Sequence, residues 1–121
     1  MNKIKMTIWG REFELPVYYK FVDEDSMTEI QKGNFEDFIE NKELIDSIKQ
    51  NVIDYVINYE TSEIDFVDNI FKYVIPKCIY FPNEKGIYAV MCNFKFDFEH
   101  GMAIVFENNK FKTIGEEDIV L

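Results

Sequence analysis

The sequence is short of the residues that do chemistry and of those that break regular structure. One histidine, one tryptophan, two cysteines, three prolines and five glycines are spread over 121 residues. Each scarcity excludes something. A lone imidazole leaves a metal centre without the second His or Cys that ligand spacing normally supplies. The glycines, at 10, 33, 86, 101 and 115, form no phosphate-cradling loop and no dinucleotide fingerprint, and there is no Gly-x-Ser-x-Gly. No cofactor is expected. Cys78 and Cys92 lack Cys-x-x-Cys spacing and fall in apolar stretches, so they read as reduced core thiols rather than a redox pair. No charge-free apolar run approaches the ~18 residues of a membrane span. Residues 1–6 alternate charged and apolar side chains and hold no signal-peptide core. A cytoplasmic protein is the expectation.

Positive charge is also scarce, with thirteen Lys and Arg against twenty-three Asp and Glu, a net of −10. The excess is local. Residues 22–68 carry fourteen acids against Lys32, Lys42 and Lys49, a net of −11, and the remainder nets +1. A nucleic-acid binder needs a basic stripe to neutralise phosphates, and an anionic membrane surface needs the same. Neither partner suits this chain. A basic protein does.

What is abundant is apolar surface. At 47% hydrophobic and 17% aromatic, the 121 residues can close one core, so a single domain over 1–121 is expected. Residues 4–9 and 12–21 are strand-like and joined at Gly10-Arg11. In the second, Phe13, Leu15, Val17, Tyr19 and Phe21 alternate with polar or small neighbours, the period of a strand with one buried face. Pro16 suggests an edge strand or a bulge. Ser26 and Glu29 have capping-box spacing and predict a helix over 27–39, with Met27, Ile30, Phe35, Phe38 and Ile39 inward. Asn41 is placed as the cap of a second helix reaching Tyr59, with Leu44, Ile45, Ile48, Val52, Tyr55, Val56 and Tyr59 at three- and four-residue spacing. A shorter third helix from Ser62, through Ile64, Val67, Ile70, Phe71 and Val74, is expected to stop at Pro76.

Beyond Pro76 the pattern is β. Strands are expected over 77–81, 87–96, 102–107 and 110–114, with turns at 82–86, 97–101 and Asn108-Asn109. Residues 115–118 turn again, and the apolar end 119–121 should dock. The fold class that follows is α+β: an N-terminal β-hairpin, two to three helices, then a C-terminal antiparallel β-meander, with the helices packed on one face of the sheet.

Two constellations bear on function. Asp97, Glu99 and His100 share a turn with Gly101, and two carboxylates beside an imidazole can hold a divalent cation or move a proton. The same residue types also suit a plain turn, with Asp97 accepting backbone amides and Gly101 supplying positive φ. The second constellation is the acidic segment, including Glu36, Asp37, Glu40 and Glu43. A field of one sign steers a partner of the other, although solubility alone also favours charged helix faces.

The run Asp97-Phe98-Glu99-His100-Gly101 with residues 102–106, followed by Ile114-Gly115-Glu116-Glu117-Asp118, resembles the ending of a group of small bacterial domains of unknown function. Residues 9–15, Trp9-Gly10-Arg11-Glu12-Phe13-Glu14-Leu15, are similar to their opening strands. The resemblance implies that the corner at 99–101 matters and that such domains accompany toxin–immunity or interaction systems. Two readings result. The first is an acidic protein-binding module, of immunity type, that covers a basic surface on a toxin. The alternative is a small metal-dependent or acid–base enzyme centred on Asp97, Glu99 and His100.

Overall fold

The computed structural model describes residues 3–22, 26–59 and 69–121. Two strands, β1 (Lys3–Ile8) and β2 (Arg11–Tyr19), form the opening hairpin. Its two-residue turn is Trp9-Gly10, one position earlier than expected, with φ of 49° and 85°. Such turns need positive φ at both central residues, which tryptophan rarely adopts. The Trp9 backbone N–H donates to Asp46 Oδ1 at 2.7 Å, and its indole Nε1–H donates to the Ile45 carbonyl at 2.9 Å. Those bonds tie the hairpin to the helices that follow.

The helices are α1 (Glu29–Glu40), α2 (Leu44–Ser47) and α3 (Lys49–Tyr59). After a 3-10 turn at Ile70–Lys72 come β3 (Val74–Phe81), β4 (Ile87–Phe94), β5 (Met102–Glu107) and β6 (Lys110–Gly115), then a 3-10 turn at Glu117–Ile119. The six strands make one sheet in sequence order. Every neighbouring pair is antiparallel except β2 and β3, which run parallel from Val17↔Ile79 to Tyr19↔Phe81. A parallel pair cannot be joined by a tight turn, and the helical segment lies in that crossover. The class is α+β, with the hairpin, the helices and the meander in the expected order. No described helix is long and apolar enough to cross a membrane.

The two faces of the sheet carry different cores. Tyr88, Val90, Cys92 and Phe94 of β4 and Met102, Ile104 and Phe106 of β5 join Phe38, Ile45, Ile48, Val52 and Val56 from the helices. Phe38 meets the Tyr88 ring edge-on at 5.3 Å. Alternate residues Ile87, Ala89, Met91, Ala103 and Val105 form a smaller cluster on the other face, with Cys78, Tyr80 and Val120. A bulge between Pro76 and Cys78 moves β3 from one alternation to the other. Cys78 and Cys92 therefore fall in different clusters, and both are free and buried. Burial pushes the Cys78 thiol up to about 11 and Cys92 higher still, as expected of unreactive packing residues.

Several local expectations change. β2 is interior rather than an edge, but Pro16 sits just before β3 begins to pair at Val17, so its missing N–H leaves no gap in that ladder. The strand ends at Tyr19, and Phe21 is exposed. Asn41 does not open a helix: it closes α1, with its Nδ2 donating to the Asp37 carbonyl at 2.8 Å. The expected single helix over 41–59 is broken at Ile48, beside Ser47, whose hydroxyl donates to the Leu44 carbonyl at 2.7 Å. Tyr59 is exposed rather than inward. Of the third helix, Ser62, Ile64 and Val67 lie outside the described residues, Ile70 and Phe71 make one 3-10 turn, and Val74 already belongs to β3. Pro76 disfavours helix in the residue before it, and β-branched Val74-Ile75 prefers the sheet. At the C-terminus only Val120 docks, while Ile119 and Leu121 are exposed.

The largest difference is the inward face of α1. Thr28, not Ser26, is the cap: its hydroxyl accepts from the Gln31 amide at 3.1 Å while Gln31 Oε1 accepts from the Thr28 amide at 2.9 Å. In the helix that follows, Ile30 and Ile39 face outward and Gln31 and Asn34 are buried with Phe38. The Gln31 carboxamide N–H donates to the carbonyls of Lys20 and Phe81. Asn34 Nδ2 donates to the carbonyls of Glu84 and Ile87, and its Oδ1 accepts from the Gly86 amide at 2.8 Å. Two amide side chains thus complete the backbone bonding of the turn between β3 and β4.

Removing that service should be expensive. Asn34→Leu, close in volume, would strand the buried Gly86 donor and the buried Ile87 acceptor, each worth about 1–3 kcal/mol when left unpaired. Urea denaturation should show a loss of at least about 2 kcal/mol. A loss below about 0.5 kcal/mol, the range of ordinary surface changes, would contradict this role.

Candidate functional site

The 97–101 corner joins β4 to β5. The Asp97 carbonyl accepts from the Gly101 amide at 2.9 Å, and Asp97 Oδ1 accepts from the His100 amide at 3.2 Å, so the carboxylate organises its own turn. The same carboxylate holds the imidazole: His100 Nδ1 is 3.0 Å from both Oδ1 and Oδ2. Two further groups converge on it from distant sequence. The Tyr59 hydroxyl, at the end of α3, donates to Asp97 Oδ2 at 3.3 Å. Glu116, just beyond β6, brings Oε2 to 4.0 Å from His100 Nδ1.

Each titratable group responds to this company. Hydrogen bonding and charge from Asp97, then Glu116 and more weakly Glu99, raise the His100 pKa above its ordinary 6.5 against a small opposing desolvation. Desolvation pushes Asp97 upward, but the His100 backbone and side-chain bonds and the Tyr59 hydroxyl outweigh it and hold the carboxyl below its usual value. Tyr59 is raised by desolvation and by the Asp97 charge.

The structure therefore brings Asp97 and His100 together and leaves Glu99 outside the set, exposed on the turn. Glu116 takes its place. The Asn108-Asn109 turn, with φ of 53° and 62°, carries that information, because a two-residue hairpin there returns residue 116 abreast of residues 101–102. Tyr59 depends on how α3 lies across the sheet, which no local pattern encodes.

Gly101 is required by two constraints at once. Its φ is +62°, and a Cβ there would stand 2.6 Å from Glu117 Cδ and 3.0 Å from the Cys92 carbonyl oxygen. Glu117 has little freedom to yield, since it is ion-paired to Lys77 at 2.8 Å and its amide donates to the His100 carbonyl at 3.0 Å.

The acidic constellation lies elsewhere. Glu36, Asp37 and Glu40 are exposed on α1, and Glu43 is exposed just ahead of α2. Asn34 fixes α1 to the turn that leads into β4, whereas the Asp97 corner follows the other end of that strand. The two constellations are therefore separate surfaces. Among the described residues no lysine or arginine lies within ion-pair distance of any of these four carboxylates. Their field reaches inward: Tyr88 is pushed up to about 12 by burial first, then by Asp37 and Glu43.

Residues 1–121 match a family model described as a domain of unknown function, DUF6985. The chain belongs to that family. No curated protein and no solved structure matches it. The DUF6985 corner at 97–101 can be tested for a framework role by two substitutions. Gly101→Ala should destabilise by more than about 1 kcal/mol, because φ is positive and the added methyl meets backbone. His100→Gln, at a half-exposed position, should be the milder change by thermal melting. The reverse ranking would show that the imidazole, not the glycine, holds the turn.

Proposed function

We propose that this DUF6985 protein is an acidic protein-binding module whose helical layer docks a basic surface of another protein. One observation carries the reading. Glu36, Asp37, Glu40 and Glu43 stand exposed with no described lysine or arginine within ion-pair distance, in an arrangement that opposes helix stability. Glu36 and Glu40 are four apart on one face and repel by a few tenths of a kcal/mol. The last turn of α1 holds no basic residue, so its carboxylates also face the negative end of the helix dipole. A merely solubilising face mixes signs and avoids both penalties. Exposed Ile39, beside Glu40, and Ile30 on the same helix add apolar contact area to the charge.

A partner bearing Lys and Arg would relieve the repulsion on binding, and the one-sign field would speed its approach. The specific form of the proposal is an immunity-type inhibitor in a bacterial cytoplasm, covering the cationic face of a toxin, in keeping with the resemblance of residues 97–106 and 114–118 to small bacterial domains of unknown function that accompany such systems. Binding through this face needs no metal, cofactor or nucleic acid.

The triple variant Glu36→Gln, Asp37→Asn, Glu40→Gln separates binding from folding. It should melt at the same or a higher temperature, because repulsion is removed. Wild-type protein immobilised in lysate should retain a basic protein at low salt and release it at high salt, and the variant should not retain it. Equal retention by both proteins, or retention indifferent to salt, would overturn the proposal.

A further inference from the structure

We propose that Asp97, His100 and Glu116 form a site for a divalent cation of the zinc class. This is independent of the acidic layer on α1 and rests on different residues. Asp97, His100 and Glu116 each offer one ligand atom, and the three atoms lie within 4.8 Å of one another. Bonds of about 2.0–2.2 Å around a tetrahedral ion put neighbouring donors roughly 3.4 Å apart. The 3.0 Å from His100 Nδ1 to Asp97 and the 4.0 Å to Glu116 bracket that spacing, so small side-chain rotations would seat an ion. With the imidazole neutral, the set carries two negative charges. No described lysine or arginine lies within ion-pair distance of Asp97 or Glu116 to neutralise them.

The support around the donors is what a bound ion needs. Asp97 is fixed by the His100 amide and by the Tyr59 hydroxyl at 3.3 Å, so its lone pairs are oriented before any ion arrives. His100 is framed by its own carbonyl, which accepts from the Glu117 amide, and by the Gly101 turn. Glu117, tied to Lys77, sets the direction of the chain at Glu116. Asp97 is 14% exposed while His100 and Glu116 are 48% and 44% exposed, leaving the ion a wet side for a fourth, exchangeable ligand. An imidazole in the set favours zinc over calcium or magnesium, which prefer oxygen alone. The buried thiols, with pKa values raised by burial, are not competitors.

The test is titration of the full chain with zinc, followed by calorimetry and by NMR of its only imidazole. The proposal requires saturable one-to-one binding, displacement of the His100 ring resonances, and a melting temperature that rises with zinc concentration. His100→Gln and Glu116→Gln should each weaken binding by more than about tenfold, and Tyr59→Phe by about tenfold, the effect of losing an orienting partner. Glu99→Gln should leave the affinity unchanged, and magnesium should not compete. Unsaturable uptake, or uptake that survives His100→Gln, would mean diffuse attraction to the acidic surface and would overturn the site. Equal losses from Glu99→Gln and Glu116→Gln would overturn the assignment of the third ligand. All of the altered side chains are at least partly exposed, and unchanged circular dichroism would show that the variants remain folded.

Discussion

The carboxamides of Gln31 and Asn34, buried beneath α1, are what the placement of the helical layer depends on. Apolar burial is non-directional and would let a helix slide or rotate on the sheet. Amide bonds to particular backbone groups would not. Asn34 satisfies three groups of the turn between β3 and β4, and Gln31 reaches the ends of β2 and β3 at Lys20 and Phe81. Thr28 adds a hydroxyl bond to Asn83 Oδ1 at 2.7 Å. The first half of α1 is thereby locked to one end of the sheet, while Phe38, a turn further on, supplies the aromatic contact to Tyr88.

That lock has a direct consequence for the surface. With Gln31 and Asn34 inward, Glu36, Asp37 and Glu40 must face water, and Ile30 and Ile39 are carried out with them. Rotating α1 to bury those isoleucines would strand the turn's backbone groups. The exposed apolar side chains and the crowded carboxylates follow from the same constraint. At the other end of β4, the Asp97 turn plays a similar organising part with charged groups: one carboxylate closes the turn, holds the only histidine and receives Tyr59 from α3. A hydrogen-bonded polar group at each end fixes elements that the apolar core alone would leave free to shift.

How much of this was visible in the sequence depends on the range over which each signal acts. The hairpin at residues 3–19, the Asn108-Asn109 turn and the Gly101 corner are set by residues a few positions apart, and apart from the hairpin's turn, one residue early, and its second strand, two residues shorter, they appear where periodicity and turn chemistry place them. Ser26 with Glu29 mimics the cap of α1 because it has the same spacing as Thr28 with Gln31, the pair that forms it. In that helix Gln31 and Asn34 meet the 81–87 backbone. Polar residues at inward positions contradict a hydrophobicity count, so Ile30 and Ile39 were misplaced. Pro76 looks like a helix stop in the sequence, yet it lies within β3, where its constraint on Ile75 favours the strand. At the candidate site Asp97 and His100 were legible, whereas Glu116 replaced Glu99 through strand pairing and Tyr59 arrived through tertiary packing.

The central claim is that α1 is latched to the sheet and presents its acidic face as a fixed surface. Native-state hydrogen exchange tests it most directly, by comparing the Gly86 amide with the interior amides of α1. The latch predicts one shared opening free energy, close to that of global unfolding, because Gly86 is freed only when Asn34 leaves with its helix. If the α1 amides exchange through an opening cheaper than that of Gly86 by more than about 2 kcal/mol, the helix moves independently of the sheet and the account is wrong.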